Sequence, residues 1–294
     1  MPSGLIIKGI GGFYYVRVLD ELFECKARGR FRNTNETPLP GDTVDILISD
    51  EDKKIGSIEK IYPRHSLLVR PSLANVDTII FVVSVKLPKP DYLLLDKLLI
   101  TAEAKGIRSI ICVNKMDLDE GNEYQKISDY YKSTGYGIIA TSCVLDVGFV
   151  ELKEALRDQI AVFSGMSGVG KSTIINKLMN SKVMETGVLS IKSERGKHTT
   201  RHAELIEIDT GGYIADTPGF SSFELDIIKP EKLEGYFPEF EKHLNKCKFV
   251  GCSHISEPEC KIKEVLEKGQ ITNVRYERYA EIYKMLKKRK IEYK

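Results

Sequence analysis

The chain has 294 residues, of which 42% are hydrophobic and 29% are charged, and its formal net charge is +2. This length predicts two or three domains, because one small core rarely organises so long a chain. The near balance of charges gives no reason to infer a nucleic-acid partner, which must be argued from local clusters. No apolar run of about 18 residues and no signal-peptide pattern occur, so we expect a cytoplasmic protein with no membrane partner.

Residues 1–66 predict a small β-barrel. Short β-rich runs are separated there by Gly, Asn and Pro, a pattern typical of antiparallel barrels. Four cations alternate with other residues in one run, so an extended chain places them on one face. They are Lys26, Arg28, Arg30 and Arg32. This face could bind phosphates beside aromatic rings that stack bases, or it could be a solvated edge that prevents aggregation.

After the barrel the sequence pattern changes. In residues 67–222, apolar runs alternate with helical stretches, which predicts βαβ units and a doubly wound parallel sheet buried on both faces. Residues 223–294 combine a Cys/His patch with helical sequence, so we expect a third, helical unit. The fold class is therefore multi-domain α/β. The last helical stretch carries several lysines, which could form a solvated face or contact phosphates.

A phosphate-binding loop is predicted where an apolar strand meets a helical stretch. Glycines let the backbone curl so that its N–H groups point at phosphates, and the helix N-terminus adds partial positive charge. Lys171 would reach the β and γ phosphates and act in catalysis, whereas Ser172 would supply an oxygen to Mg²⁺. The residues expected at the nucleotide are Gly165, Met166, Ser167, Gly168, Val169, Gly170, Lys171, Ser172 and Thr173.

A guanine-binding segment, Asn114-Lys115-Met116-Asp117, is predicted at the end of an apolar strand, where parallel strands present ligands. Asp117 can accept from the ring N1–H and the 2-amino group of guanine, whereas adenine lacks that amino group. Asn114 would hold neighbouring loops together, and the Lys115 stem would cover the base. Ser142 lies in a second loop, where a backbone N–H could reach the guanine O6; an ordinary turn is the alternative.

Two further segments would complete a site for Mg²⁺ and the γ phosphate. In an Asp-x-x-Gly motif, Asp216 would hold a Mg²⁺-bound water and the Gly219 N–H would reach the γ phosphate. The polar loop at residues 196–200 carries hydroxyls that could complete the Mg²⁺ shell. Spacing alone does not decide between Thr199 and Thr200.

The motifs stand in an unusual order, because the base-reading segment precedes the phosphate loop. A doubly wound domain whose ends lie close together can be joined there and cut elsewhere without losing packing contacts. The sequence thus predicts a circularly permuted domain that binds guanine nucleotides. An ATP-using kinase or ATPase is the rival interpretation, and Asp117 argues against it.

Three cysteines and one histidine predict a metal site in the last unit, and they are Cys247, Cys252, His254 and Cys260. Together they could fill the four positions around a tetrahedral structural zinc ion. One such ion would help a unit with few large apolar side chains to stay folded, and it would leave no position for hydrolytic chemistry. The alternative is that these cysteines are merely buried or redox-active.

Taken together, the barrel, the nucleotide motifs in their order and the Cys/His set resemble the bacterial ribosome small subunit-dependent GTPase A family along essentially the whole chain. The resemblance implies an OB-fold barrel, a circularly permuted GTPase domain and a zinc-binding C-terminal domain. It also implies a GTP hydrolase that binds the 30S ribosomal subunit and its 16S rRNA. Such an enzyme assists late 30S maturation, and the subunit stimulates its hydrolysis. We expect a monomer.

The same resemblance implies roles near the γ phosphate. Thr200 looks like the Mg²⁺ ligand of the first switch, with Thr199 as the alternative. Phe220 stands where many GTPases carry a Gln that orients the attacking water, which a phenyl ring cannot do. His198 is the family-like candidate for positioning water, and a solvated loop histidine is the alternative. Phe220 also motivates a rival function, a nucleotide-gated RNA-binding scaffold whose hydrolysis is incidental.

Overall fold

A computed structural model describes residues 1–29, 31, 36–186, 203–216 and 228–292, and for residues 180–186, 216 and 289–292 it describes the backbone alone. Contacts within the chain divide it into two units. The first comprises Met1–Ile79, Phe149–Ser164 and Lys171–Phe220, and the second comprises Ile80–Gly148, Gly165–Gly170 and Ser221–Lys294. The domain boundaries near residues 66 and 222 stay a prediction.

Five strands at the start of the first unit form a barrel. They are β1 (Ser3–Ile10), β2 (Phe13–Val18), β3 (Glu21–Ala27), β4 (Thr43–Asp50) and β5 (Ile55–Ile61). β1 pairs with β2 and β4, β2 with β3, and β4 with β5, all antiparallel, while β3 pairs with β5 in parallel. Each strand therefore has a partner on both sides, and the sheet closes on itself.

The barrel core follows the alternation of its strands. Along β3, Phe23 is 2% exposed and Cys25 is fully buried, whereas Leu22 faces outward and is 45% exposed. Because successive side chains of a strand point to opposite faces, apolar residues two apart reach the same core. The other strands contribute Ile6, Val16, Val44, Ile46 and Ile58 to it. The predicted barrel is confirmed.

Beyond the barrel, strands and helices alternate along the chain. They are β6 (Leu67–Leu68), β7 (Leu73–Ala74), β8 (Thr78–Ser84), α1 (Tyr92–Ala104), β9 (Arg108–Asn114), α2 (Glu123–Tyr131), β10 (Gly137–Thr141), α3 (Phe149–Ala155), β11 (Ile160–Ser164), α4 (Lys171–Thr186), β12 (Glu204–Glu207), β13 (Tyr213–Asp216), α5 (Lys261–Glu267) and α6 (Asn273–Glu292). Short 3-10 turns occupy Met116–Leu118, Pro230–Tyr236 and Pro238–His243.

In the first unit, β13 lies between two strands, one parallel and one antiparallel to it. It pairs with β11 in parallel and with β12 in the opposite direction. β12 also pairs with β1 of the barrel, where Lys8 lies opposite Glu204. Their side chains form an ion pair of 3.2 Å, and Arg17 and Glu207 form a second one of 2.7 Å. The barrel is thus continuous with a sheet of the nucleotide-binding region.

The second unit contains the strand order β10-β9-β8. β9 and β10 run parallel, with Ile111 opposite Ile138. All residues of β9 after Arg108 are buried, and so is β8 throughout. Burial of whole strands, rather than of alternate residues, is typical of a parallel sheet covered on both faces. The predicted α/β architecture is confirmed.

The C-terminal helices have their own core within the second unit. The two 3-10 turns after residue 228 pack with α5 and α6 around buried apolar side chains, among them Phe237, Phe240, Ile262, Val265, Tyr279 and Ile282. The Tyr279 ring lies 5.1 Å from the Phe237 ring, edge to face, an arrangement that aromatic pairs favour. Among the described residues, no helix is both long enough and apolar enough to span a membrane.

The barrel core yields a test of stability. Replacing Phe23 with Ala should destabilise the protein by about 3–5 kcal/mol, because it removes a large buried side chain and leaves a cavity. Leu22→Ala, at the adjacent outward-facing position, should cost far less. Urea unfolding followed by circular dichroism measures both. Equal losses in the two variants would contradict the described register of β3.

Candidate nucleotide-binding site and metal centre

Asn114, the last residue of β9, joins three segments of the second unit. Its side chain is 2% exposed. The amide nitrogen donates to the Val169 carbonyl in the phosphate loop at 2.9 Å, and the amide oxygen accepts from the Thr141 hydroxyl at 3.1 Å. The segment predicted to read the base is thereby tied to the loop predicted to cradle phosphates and to the end of β10.

Lys115 makes a second connection to the phosphate loop. Its backbone has a left-handed φ of 66°. The ammonium donates to the Gly168 carbonyl at 2.8 Å and also to the Leu87 carbonyl. These two bonds extend the Lys115 stem between the loops, the placement required for an aliphatic stem that covers a base. Met116 follows at the start of the 3-10 turn.

Asp117 and Ser142 lie together, although they are 25 residues apart in the chain. The Ser142 hydroxyl donates to Asp117 Oδ1 at 2.5 Å, and the same hydroxyl accepts from the Leu145 N–H at 3.1 Å. The Ser142 N–H donates to the Val147 carbonyl at 3.2 Å. Ser142 therefore contacts the base-reading carboxylate through its hydroxyl, and an O6 contact would fall to another N–H group of this turn.

The glycines of the phosphate loop occupy positions that exclude a side chain. Gly165, Gly168 and Gly170 have φ values of 140°, 80° and 102°, a region that residues with a Cβ rarely adopt. A Cβ on Gly165 would lie 2.3 Å from the Val82 carbonyl oxygen, and one on Gly170 would lie 2.3 Å from the Asn114 amide nitrogen. Met166, Ser167 and Val169 complete the loop.

The helix that follows this loop begins at Lys171, as a phosphate-binding arrangement requires. Partial burial lowers the pKa of the Lys171 ammonium, a cost that an approaching anion would offset. Ser172 and Thr173 are exposed in the first turn of α4. Asp216 ends β13, where its backbone alone is described. Three predicted residues, His198, Thr200 and Gly219, lie outside the described residues, as do Thr199 and Phe220.

The predicted metal ligands form one cluster. The sulfur and nitrogen atoms of Cys247, Cys252, His254 and Cys260 all lie within 4.8 Å of one another. The His254 Nδ1 is 3.3 Å from the Cys260 sulfur and 3.6 Å from that of Cys247, and these two sulfurs are 3.9 Å apart. Bond lengths to zinc in a tetrahedral site imply about 3.6 Å for nitrogen to sulfur and about 3.8 Å between sulfurs. The cluster therefore fits a metal ion of this kind.

A cation would also account for the burial of this cluster. Burial raises the pKa of the Cys252 thiol to about 12 and also raises that of Cys260. Buried thiols without a cation stay protonated, whereas a bound cation displaces their protons. Among the described hydrogen bonds, none joins these four side chains to the side chain of a lysine or arginine, which could neutralise a thiolate charge.

Carboxylates orient the histidine of this cluster. Glu234 lies 2.5 Å from His254 Nε2, so the other ring nitrogen, Nδ1, faces the cysteines. His254 has a left-handed φ of 60°. Glu257 accepts hydrogen bonds from the N–H groups of Ser253, Ile255 and Ser256 around that strained position. Although burial opposes ionisation, a bond from the Ser253 hydroxyl at 2.6 Å, together with these N–H groups, lowers the pKa of Glu257 to about 2.

Comparison with known proteins agrees with this geometry. The family described as "RsgA GTPase" matches residues 61–226, and the "RsgA N-terminal domain" matches residues 3–58. The chain belongs to the RsgA GTPase family. An RsgA-family relative from Ruminiclostridium cellulolyticum, the "Small ribosomal subunit biogenesis GTPase RsgA", is 56% identical over 98% of this chain and 94% of its own length. The protein of that name from Alkaliphilus metalliredigens is 46% identical over 98% and 99%.

Solved structures of similar proteins extend the RsgA likeness to the whole fold. "YloQ, a circularly permuted GTPase" superposes with a TM-score of 0.84, at 36% identity over 98% of this chain and 96% of that one. YjeQ from Thermotoga maritima gives 0.82, at 35% identity over 97% and 98%. The resemblance inferred from the sequence motifs is confirmed, and so is the predicted fold class.

Sequence reasoning missed two features of this RsgA-family site. It considered the backbone of Ser142 and not the hydroxyl that contacts Asp117, and it did not consider Glu234. No spacing pattern identifies Glu234, because it precedes the Cys/His set in a separate 3-10 turn. A signal for Ser142 existed, since its loop follows the strand beside β9 and so ends at the same sheet edge.

Glu234 gives a prediction for the metal centre. Glu234→Gln should weaken cation binding about 10- to 100-fold, because partners of a metal-bound histidine orient the ring and raise its basicity. Competition titration with a chelator, followed by the thiolate–Co²⁺ absorption band, measures the affinity. Glu241→Gln, in the neighbouring turn, serves as the control. Unchanged affinity in Glu234→Gln would contradict the role of this carboxylate.

Proposed function

We propose that this protein hydrolyses GTP, binds the small ribosomal subunit and assists its late maturation. Membership of the RsgA GTPase family and the names of its relatives support this function. The observation that carries it is the 2.9 Å bond from the Asn114 amide to the Val169 carbonyl. This bond brings the base-reading segment and the phosphate loop close enough for one nucleotide to contact both.

Guanine recognition is assigned to Asp117, with Asn114, Lys115, Met116 and Ser142 around it. The carboxylate accepts from the N1–H and the 2-amino group, while the Ser142 hydroxyl holds it in one orientation. An adenine would present an acceptor at N1 and leave the carboxylate unpaired. A site built around buried hydrogen bonds rejects such an analogue strongly, by several powers of ten in favourable cases.

The phosphates are assigned to the N–H groups of residues 165–173 and to the Lys171 ammonium. Ser172, Thr200 and Asp216 would hold Mg²⁺, whose chemistry in such sites is to neutralise charge on the β and γ phosphates. Lys171 stabilises the same charge from the protein side, and the Gly219 N–H contacts the γ phosphate. His198 is assigned to positioning the attacking water, a role for which Phe220 offers no hydrogen-bonding group.

The Cys/His cluster is assigned to one structural zinc ion. Its donor set of three thiolates and one imidazole is typical of closed zinc sites, and its interatomic distances support that metal. All four tetrahedral positions are supplied by the protein, so the ion would stabilise the C-terminal helices and take no part in hydrolysis. The cysteines belong to a structural centre and not to a redox pair.

The barrel is assigned to contact with 16S rRNA. Lys26 lies 4.9 Å from the centre of the Phe13 ring, and Lys60 lies 4.3 Å from that of Tyr62. Exposed lysines beside half-buried aromatic rings suit a single-stranded RNA, whose phosphates and bases need both groups. Arg28 pairs with Glu59 at 2.7 Å, so it contributes less free charge than its position suggests.

We propose that the protein acts as a cytoplasmic monomer.

Nucleotide specificity tests the guanine assignment. Asp117→Asn should prefer xanthosine triphosphate to GTP, because the amide donates to the 2-oxo group of xanthine where the carboxylate accepted from the 2-amino group of guanine. We expect GTP affinity to fall by about 100-fold or more. Equilibrium binding of both triphosphates measures the change. Asp129→Asn, at an exposed position of α2, is the control. An Asp117→Asn protein that still prefers GTP would rule out this assignment.

Turnover with purified ribosomal particles tests the activity. At fixed salt, 30S particles should raise GTP hydrolysis and leave ATP hydrolysis unchanged. Lys171→Ala should lower the stimulated rate about 100- to 1000-fold, as does the loss of a group that stabilises transition-state charge. Particle binding in GDP and in a non-hydrolysable GTP analogue is measured alongside. Binding that depends on the nucleotide, without stimulated hydrolysis, would favour the gated RNA-binding scaffold instead.

A further inference from the structure

Arg275 of α6 is the largest fully buried side chain of the described residues, at 1% exposure. Its guanidinium donates to both oxygens of Glu239 at 2.7 and 3.3 Å. Another nitrogen donates to Asp96 of α1. Asp96 also accepts from the Tyr131 hydroxyl at 2.7 Å, and Tyr131 is the last residue of α2. One buried cation therefore joins the C-terminal helices to both α1 and α2, in a group that we call the Arg275 network (Arg275, Asp96, Glu239 and Tyr131).

The two helices reached by this network flank the base-reading segment. The loop before α1 carries the Leu87 carbonyl, which accepts from the Lys115 ammonium. On the other side, the Asp119 carboxylate accepts from the N–H groups of Glu123 and Tyr124 in the first turn of α2, at 2.8 and 3.1 Å. The segment before α1 is thus bonded to Lys115, and α2 is bonded through Asp119 to the turn that contains Asp117.

Further contacts hold the two helices in one arrangement. The Tyr92 hydroxyl at the start of α1 bonds to Glu123 at the start of α2. Thr272, just before α6, donates to the Tyr130 carbonyl at 3.1 Å. The guanidinium carbon of Arg275 also lies 5.2 Å from the Tyr131 ring and 4.6 Å from the Phe237 ring. α1 is therefore fixed against α6 at Asp96, in its second turn, and α2 at its last two residues, while the first residues of the two helices bond to each other.

We propose that Asp96 and Arg275 are positioning residues for the guanine site, which hold α1 and α2 so that Lys115 and Asp117 stay in their binding geometry. The inference rests on the proposed binding of guanine nucleotides. Loss of the Asp96 contact lets the two helices move and speeds nucleotide release. The Glu239 contact stays within the C-terminal helices, so its loss alone leaves release unchanged.

Release of fluorescent N-methylanthraniloyl-GDP, chased with excess GDP, tests the proposal. Asp96→Ala should accelerate release roughly threefold to tenfold, the size of change that mutations along packed networks produce. Glu239→Ala is the matched control, because each variant removes one of the two carboxylates and leaves Arg275 with the other. It should release the nucleotide within about twofold of the wild-type rate. Tyr131→Phe, which removes only the hydroxyl bonded to Asp96, should give a smaller acceleration and serves if Asp96→Ala does not fold.

A purely structural role of the network predicts a different result. Both carboxylate variants would then lower the melting temperature, and release would either stay unchanged in both or rise equally in both. Either outcome would overturn the proposal, as would wild-type release from Tyr131→Phe if that variant alone folds. Measurements are made below the melting transition of each variant. Failure of the wild-type protein to bind the fluorescent GDP would overturn the proposed function instead.

Discussion

The buried side-chain amide of Asn114 is the interaction on which the nucleotide site depends. Its nitrogen donates to the phosphate loop and its oxygen accepts from Thr141, so both polar atoms are paired away from water. An unpaired buried group of this kind would cost about 1–3 kcal/mol, which favours a single arrangement of the three segments. Gly170 is part of the same constraint, because a Cβ at this position would lie 2.3 Å from the Asn114 amide nitrogen. The predicted base-reading segment and the predicted phosphate loop are therefore held together by bonds between protein atoms.

Sequence reasoning succeeded where the chemistry is local. The phosphate loop needs glycines followed directly by a helix, and the metal set is distinctive by its donor atoms. Contacts between distant residues were not predicted. Nothing in the sequence pairs Glu234 with His254, 20 residues apart, whereas the shared sheet edge brings Ser142 near Asp117, 25 residues apart, without indicating that the hydroxyl makes the contact. Arg275 is the extreme case. It lies 179 residues from Asp96 in a lysine-rich helical stretch, where a charged residue is expected at the surface.

The helix α6 contacts both the loop of the Cys/His cluster and the Arg275 network. The hydroxyls of Tyr276 and Tyr279 donate to the carbonyls of His254 and Ser253 at 2.7 and 2.9 Å. Arg275 precedes these tyrosines on α6 and reaches in the other direction, to Asp96. A buried charged group is stable only when its partners are fixed, because an unpaired charge in the interior is costly. The Cys/His loop therefore contributes to the fixed position of α6 and, through Arg275, to that of α1.

The permuted order of the motifs determines which segments adjoin the C-terminal helices along the chain. In the chain, β9, α1 and α2 come before the phosphate loop, and the C-terminal helices come after the segment that carries Gly219. By itself, this direct linkage to the segment with Gly219 would couple the C-terminal unit to the γ phosphate. The described contacts of α6 run instead to α1 and α2, the helices behind the base. Under the proposed positioning role of Asp96 and Arg275, a force applied to the C-terminal helices by a partner would reach the guanine end of the proposed nucleotide site.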